Sequence, residues 1–240
     1  MALVTEGIQA YWTFDESSGT ASDSSGNGNT LANNNTTAYA AGQINNGVDL
    51  EASSTNWMSI VDGSQTGLDL TGDLAASFWI KMESQPSSGN QMVIFGKFTS
   101  SGDQRSYSLR YKNDGGTPKI ILLVNDDGLG ASSEDLAFTQ TLSNGTLYHV
   151  AVTWDASTST AECWVDDSSL GTVTGTVTSI FDGTADFTVG AVNSGGDAMD
   201  GVIDELCIWD RLITDTDVGW LYNSGRGMQY PFQTNEITII

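Results

Sequence analysis

Tyr148-His149-Val150-Ala151-Val152-Thr153-Trp154 is the stretch that decides the fold of this chain. Successive side chains of an extended strand point to opposite faces. Tyr148, Val150, Val152 and Trp154 therefore share one face, and His149, Ala151 and Thr153 share the other. Working outward, the same short apolar alternation predicts strands over 8–14, 57–61, 76–82, 91–98, 105–112, 118–125, 160–166, 186–191 and 202–209. The chain has 27 glycines and 3 prolines, and clusters of Gly, Ser, Asn and Asp separate these runs as the turns of a sandwich do. One helix is expected after Thr214, which can cap it, with Asp215 and Asp217 in its first turn and Gly225 just past its end. Val218, Leu221 and Tyr222 would pack it down. In 240 residues no linker or repeat divides the chain, and 39% hydrophobic residues with 7 Trp supply a substantial core. The expectation is an all-β antiparallel β-sandwich over residues 1–230, with one short C-terminal helix and a tail over 231–240. The longest apolar run, Ile120 to Val124, is far too short for a membrane-spanning helix.

Charge excludes some partners. A formal net charge of −22, from 30 acids and 8 bases, opposes nucleic acid and anionic membranes. Six of the eight bases (Lys81, Lys97, Arg105, Arg110, Lys112 and Lys119) fall between residues 81 and 119. In the strand 105–112, Tyr107, Leu109 and Tyr111 face inward, and Ser108, Arg110 and Lys112 face outward. Arg110 and Lys112 are thus candidate contacts for an anionic glycan or for the acidic flank of a neighbouring subunit. The alternative is an ordinary solvated strand face.

Two oxygen-rich pieces stand nearly at opposite ends of the chain: Asp23-Ser24-Ser25-Gly26-Asn27-Gly28-Asn29 and Ile203-Asp204-Glu205-Leu206. Hard oxygen donors on a sharply bent, glycine-relieved turn suit a calcium ion. An Asx-rich turn that satisfies its own backbone is the alternative. Both pieces belong to a longer series: Gly7-Ile8-Gln9-Ala10-Tyr11-Trp12-Thr13-Phe14-Asp15-Glu16, Ser77-Phe78-Trp79-Ile80-Lys81, the 148–155 stretch, Cys163-Trp164-Val165-Asp166, and Gly201 through Arg211. In this order, over roughly residues 7–225, the series resembles the laminin-G-like, concanavalin-A-like jelly-roll family. The resemblance implies a jelly-roll sandwich. It also implies one Ca²⁺ held by Asp23 and Asp204, with Asn27 or Asn29 and turn carbonyls completing the shell. The fold hosts lectins, glycosidases, adhesins and structural modules, so it does not choose among them.

Catalytic chemistry finds little support. Jelly-roll glycosidases of this kind carry E-x-D-x-x-E on one strand, because a retaining mechanism needs carboxyls about 5 Å apart. No Glu here starts that pattern. Asp15-Glu16 and Asp204-Glu205 are neighbours expected on opposite strand faces. His149 is the only histidine, which removes a multi-histidine zinc site. Among the aromatic residues, Trp12, Phe14, Phe78, Tyr148 and Trp154 read as core. Trp79, Trp164 and Trp209 fall on alternate faces, where a sugar ring could stack. Cys163 is expected inward and Cys207 outward and exposed, so no disulfide is expected.

Residues 1–6 show no signal peptide, although the resemblance points to surface-displayed modules. Export on a virion would reconcile the two. The reading is a non-catalytic recognition or adhesion module for a glycan or protein surface. A virion decoration or fibre component is the alternative, and a diverged glycosidase the third. Self-association is expected through the 81–119 zone and the strand-like tail Glu236-Ile237-Thr238-Ile239-Ile240.

Overall fold

The computed structural model describes residues 4–192 and 195–232. The tail 236–240 and its proposed edge pairing lie outside them. Fifteen strands form two antiparallel sheets: β1 (Ile8–Trp12), β2 (Ala32–Asn34), β3 (Ala38–Ala41), β4 (Asn46–Leu50), β5 (Trp57–Ile60), β6 (Leu74–Met82), β7 (Gln91–Thr99), β8 (Gln104–Asp114), β9 (Thr117–Gly128), β10 (Glu134–Thr139), β11 (Leu147–Asp155), β12 (Thr160–Val165), β13 (Ser168–Thr174), β14 (Phe187–Val189) and β15 (Gly201–Trp209). The eight-stranded sheet runs β13-β12-β11-β6-β15-β4-β3, with β1 also paired to β15, and the seven-stranded sheet runs β10-β9-β8-β7-β14-β5-β2. The strands expected from alternation are all present, and the jelly-roll sandwich is the fold.

Alternation explains the layers. On β11, Val150, Val152 and Trp154 enter the core between the sheets. On β8, Tyr107, Leu109 and Tyr111 do the same from the other side. Those apolar faces, removed from water on both sheets, are the main source of stability.

The eight-stranded sheet is buried on its outer face as well. All nine residues of β15 are buried, because a second apolar layer lies behind them. The helix α1 (Asp215–Tyr222) starts in a capping box in which the Thr214 side chain accepts from the Asp217 N–H and Asp217 answers to the Thr214 N–H. Its Val218 and Leu221, three apart and so on one helix face, join Tyr11, Trp164, Cys207, Trp209 and Phe232. Asn223 ends the helix in the left-handed region, at φ 48. This roof corrects one expectation. Cys207 does point away from the sandwich core, but it is buried under the roof rather than exposed, as Cys163 is on the other side of the sheet, and both thiols are free.

Candidate functional site

The Asp23 turn is sewn to the open edge of β1. Asp23 Oδ1 accepts from the N–H of Tyr11 at 3.1 Å and of Ser25 at 2.8 Å, and Oδ2 accepts from Asn29 N–H at 2.9 Å. The Asn27 amide donates to Ile8 O and Gln9 O at 3.0 and 2.9 Å. Asn29 pairs with Thr66 in both directions, donating to Thr66 O and accepting its N–H, each at 2.8 Å. These side chains stand in for a neighbouring strand along the edge that β15 leaves unpaired, and their oxygens are largely occupied in doing so.

Asp204 is bonded elsewhere. Its Oδ2 accepts from the N–H groups of Gln43 at 2.8 Å and Ile44 at 2.9 Å, in the turn between β3 and β4. Gly42 makes room for it, since a Cβ there would lie 2.5 Å from Oδ2. Asp23 and Asp204 thus have separate sets of hydrogen-bond partners. Asp204 Oδ1 is buried without a partner, and so is Glu205 Oε2. The strand bulges between Asp204 and Cys207, with Glu205 at φ 53, so the alternation expected to part the two carboxyls is broken here. Asp204 pairs in register with Trp79, and Glu205 lines a small cavity of about 10 Å³ beside Trp79 and His149. Burial pushes the Asp204 carboxyl up to about 7, with the Asp15 charge adding to it and the Gln43 and Ile44 N–H groups opposing. Burial likewise pushes Glu205 up to about 8 against the lowering effect of Gln229, whose amide bonds both Glu205 Oε1 and Asp15 Oδ2. Asp204 and Glu205 thus each keep one free buried oxygen, which the Asp23 turn does not, while among the described residues the acids whose oxygens lie within 4.8 Å of one another are Asp49, Glu51 and Glu83.

The tryptophans singled out as sugar platforms are closed off. Trp164, Trp209 and Trp79 are buried under the roof. Trp164 Nε1 donates to Asp215 at 2.9 Å, Trp209 Nε1 to Val4 O at 2.8 Å, and Trp79 stacks on Tyr222. Trp164 and Trp209 thus belong to a second core, with no ring face for a sugar. His149 is also roofed: its Nε2 pairs with Ser77 Oγ at 2.8 Å, and burial pushes its ring down to about 3, so it stays neutral.

The basic zone is mostly neutralised. Lys81 pairs with Glu83, Arg105 with Asp103 and Lys119 with Asp114. Lys97, expected on the surface, is fully buried and pairs with Asp62 and Asp69. The register shift between Val93 and Phe95 puts Phe95 and Lys97 on the inner face, opposite Leu109 and Tyr107.

Arg110 and Lys112 make no ion pair among the described residues, and Arg110 is the buried one of the two. As expected it leaves β8 on the outer face of the seven-stranded sheet with Ser108 and Lys112, yet it is only 7% exposed. Its guanidinium lies 4.4 Å over the Phe98 ring, and Nε donates to Ser108 Oγ at 2.8 Å. Nη2 has no partner. Register sets Val93 and Ile121 beside Arg110, and Gly96 and Leu123 beside Ser108, with Thr188 and Ser59 continuing that row. Gly96 keeps the floor low, because a Cβ there would come within 2.6 Å of Ser108 Cβ. Asp135 and Asp197 stand exposed at the rim, and Trp57 is half-buried on the outer side of β5. Phe98, Asp197 and Trp57 were not singled out from sequence, because only the folded sheet brings them together.

The chain belongs to the concanavalin A-like lectin/glucanase superfamily, whose family model matches residues 45–219. Among solved structures it is similar to domain 4 of AbnA, a GH43 extracellular arabinanase from Geobacillus stearothermophilus, in complex with arabinotriose: 20% identity, TM-score 0.68, 92% of this chain and 98% of that one covered. It is also similar to the binding domain of Paraclostridial Mosquitocidal Protein 1, at 12% identity and TM-score 0.72, with 93% and 53% covered. The binding domain of botulinum neurotoxin DC in complex with SialylT gives 12% identity, TM-score 0.69 and coverage of 95% and 53%. The chain thus spans about half the length of these toxin domains. At such identities the likeness is one of fold. No curated protein matches the sequence.

Proposed function

We propose that this protein is a non-catalytic recognition module that binds carbohydrate through the outer face of its seven-stranded sheet. One observation carries the reading: α1 and the segment through Phe232 roof the eight-stranded sheet, whereas no helix of the described residues packs on the outer face of the other sheet, where Trp57 and Phe98 are half-buried and Asp135 and Asp197 exposed. That face combines Arg110, half-buried Trp57 and Phe98, small hydroxyls and rim carboxylates, a mixture suited to sugar rings and hydroxyls. Solved structures of the same fold include a complex with arabinotriose and one with SialylT, which supports carbohydrate as the first ligand to try.

The test is a glycan array followed by titration of the best hit against two variants. Trp57→Ala should weaken binding about tenfold. Trp220→Ala, at a Trp 44% exposed on α1, should leave it unchanged. The reverse pattern would move the site to the roof and reject this face.

Calcium is proposed at Asp204, whose Oδ1 is buried without a partner. The support is the free buried oxygen of Asp204 and Glu205. There the ion would neutralise buried carboxylates and tie β15 to the β3–β4 turn. A melting temperature raised by calcium in wild type but not in Asp204→Asn is the expected result; equal curves with calcium and chelator would remove the ion.

A further inference from the structure

Arg110 is a nine-tenths buried cation on a sheet face, with a guanidinium nitrogen that no protein atom accepts from. Leaving such a donor unmet is costly, so an oxygen from outside the chain is the natural partner. Asp135 and Asp197 are the nearest opposing charges, yet neither makes an ion pair with it. Asp197 instead accepts from the Gln91 amide at 2.7 Å. Burial lowers the guanidinium's basicity and the two carboxylates oppose that. In the sheet Asp135 is paired with Leu123, two strands from Ser108, and the Asp197 carbonyl accepts from the N–H of Val93, the register partner of Arg110.

The chemistry of that guest follows from the donor and acceptor pattern. Arg110 Nη2 only donates, whereas the two carboxylates only accept. A group that answers both must accept on one oxygen and donate from the next, as adjacent hydroxyls of a sugar do. A carboxylate or sulfate can only accept. It would sit between Asp135 and Asp197 in a chain of net charge −22, and repulsion would work against it. Lys119 is paired with Asp114 and Arg105 with Asp103, so among the described residues Lys112, on the same face of β8, is the one nearby base without an ion pair to set against the two carboxylates. The side chains beside Arg110 in register (Val93, Ile121 and Leu123) are apolar and almost fully buried, and half-buried Phe98 is the apolar surface that the C–H face of a pyranose or furanose ring would meet.

We propose that the Arg110 pocket, with Asp135 and Asp197 at its rim, holds a neutral sugar unit by its adjacent hydroxyls and discriminates against uronate and sulfated units. This rests on the assignment of the binding face above and names its ligand class.

Calorimetry on the full chain tests it. The probes are neutral oligosaccharides from hydrolysed arabinan, xylan and mannan, with oligogalacturonate and heparin fragments as anionic counterparts. The expected result is binding to at least one neutral series, little weakened by added salt. Arg110→Gln should weaken it at least tenfold, and Asp197→Asn about fivefold. Asp197 is exposed on a loop, so its variant keeps the test open if Arg110→Gln folds poorly. Binding to the anionic probes alone, lost in Arg110→Gln, would overturn the neutral class and leave the face standing. Neutral binding lost in Trp57→Ala but intact in both Arg110→Gln and Asp197→Asn would overturn the pocket and leave the face. Neutral binding that ignores all three variants would overturn both, and so would no binding to any probe.

Discussion

Asp204 on β15 accepts a hydrogen bond from the backbone N–H of Gln43 at 2.8 Å, across 161 residues of sequence. With the Ile44 N–H on the same oxygen, one carboxylate holds the β3–β4 turn against the centre of the eight-stranded sheet. Asp204→Ala would strand two N–H groups and is expected to cost about 2–4 kcal/mol. Asp204→Asn keeps an acceptor oxygen and removes a buried charge, so in the absence of calcium its loss should be under ~1 kcal/mol at pH 8. Urea unfolding of the two variants, with unchanged slopes, measures the difference; equal losses would mean that the charge rather than the acceptor does the holding.

Lys97 makes a sharper asymmetry. Its side chain is fully buried, whereas those of its partners Asp62 and Asp69 are 29% and 42% exposed. Removing both acids leaves an uncompensated buried cation, and Asp62→Ala with Asp69→Ala should cost about 3–5 kcal/mol. Lys97→Met removes the cation, and water can take over the two carboxylates. That variant should lose less than ~1.5 kcal/mol. Thermal melts of both proteins decide it, and a Lys97→Met loss as large as the double acid variant would refute the asymmetry.

Much of this fold is legible in the sequence, and the failures share a cause. Strands such as β6, β11 and β15 carry large apolar residues on a period of two, and they appear where alternation puts them. Five strands do not announce themselves: β2, β3 and β13 (Ala32-Asn33-Asn34, Ala38-Tyr39-Ala40-Ala41 and Ser168 to Thr174) lie at sheet edges and are ordered by a neighbour's backbone, whereas β4 and β10 each bury only two apolar residues, Val48 with Leu50 and Leu136 with Phe138, too short an alternation to stand out. The same limit governs the site. Alternation correctly sends Trp164, Trp209 and Cys207 away from the sandwich core, but it cannot show that a helix from the end of the chain covers them. It also fails at bulges, which is why Lys97 turns inward and Asp204 and Glu205 are not parted. The direction of Arg110 is legible; its neighbours Phe98, Asp135 and Asp197 are tertiary facts.

The roof depends on its first turn. Thr214 accepts from Asp217 N–H, and Asp217 accepts from Thr214 N–H at 2.9 Å, so two otherwise unmet donors are satisfied together. Thr214→Ala is expected to cost about 1 kcal/mol. Because α1 covers Cys207, the thiol should react with a bulky reagent several times faster in the variant than in wild type, while Cys163 in the sandwich core stays protected. Equal rates at Cys207 would show that the helix end does not govern access to this layer.

Protons should act on this protein in two opposed ways over overlapping pH ranges. His149 is neutral in the fold, its ring pushed by burial from the ordinary 6.5 down to about 3. The unfolded chain therefore binds a proton that the native state refuses, and stability contributed by the neutral ring is lost as pH falls below about 6.5. Asp204 and Glu205 run the other way. Raised to about 7 and about 8, they favour the protonated native state, and their contribution is full below about pH 4 and lost as pH rises through those values. Tyr222, Trp79 and Ser77 pack on the imidazole and carry no charge near neutral pH, Asp166 accepts from the His149 backbone N–H, and Glu205 lines the same small cavity. Without calcium, these three groups together should raise stability as pH falls from 8 to about 4.5, because two carboxyls outweigh one imidazole, with the rise becoming shallower below about pH 6.5 where His149 opposes it. His149→Gln should leave the limb above pH 6.5 unchanged and steepen the one below it, by at most about 1.4 kcal/mol per pH unit. A pH series of melting curves for wild type and His149→Gln measures the difference, and equal slopes below about pH 6.5 in both proteins would exclude a contribution from His149.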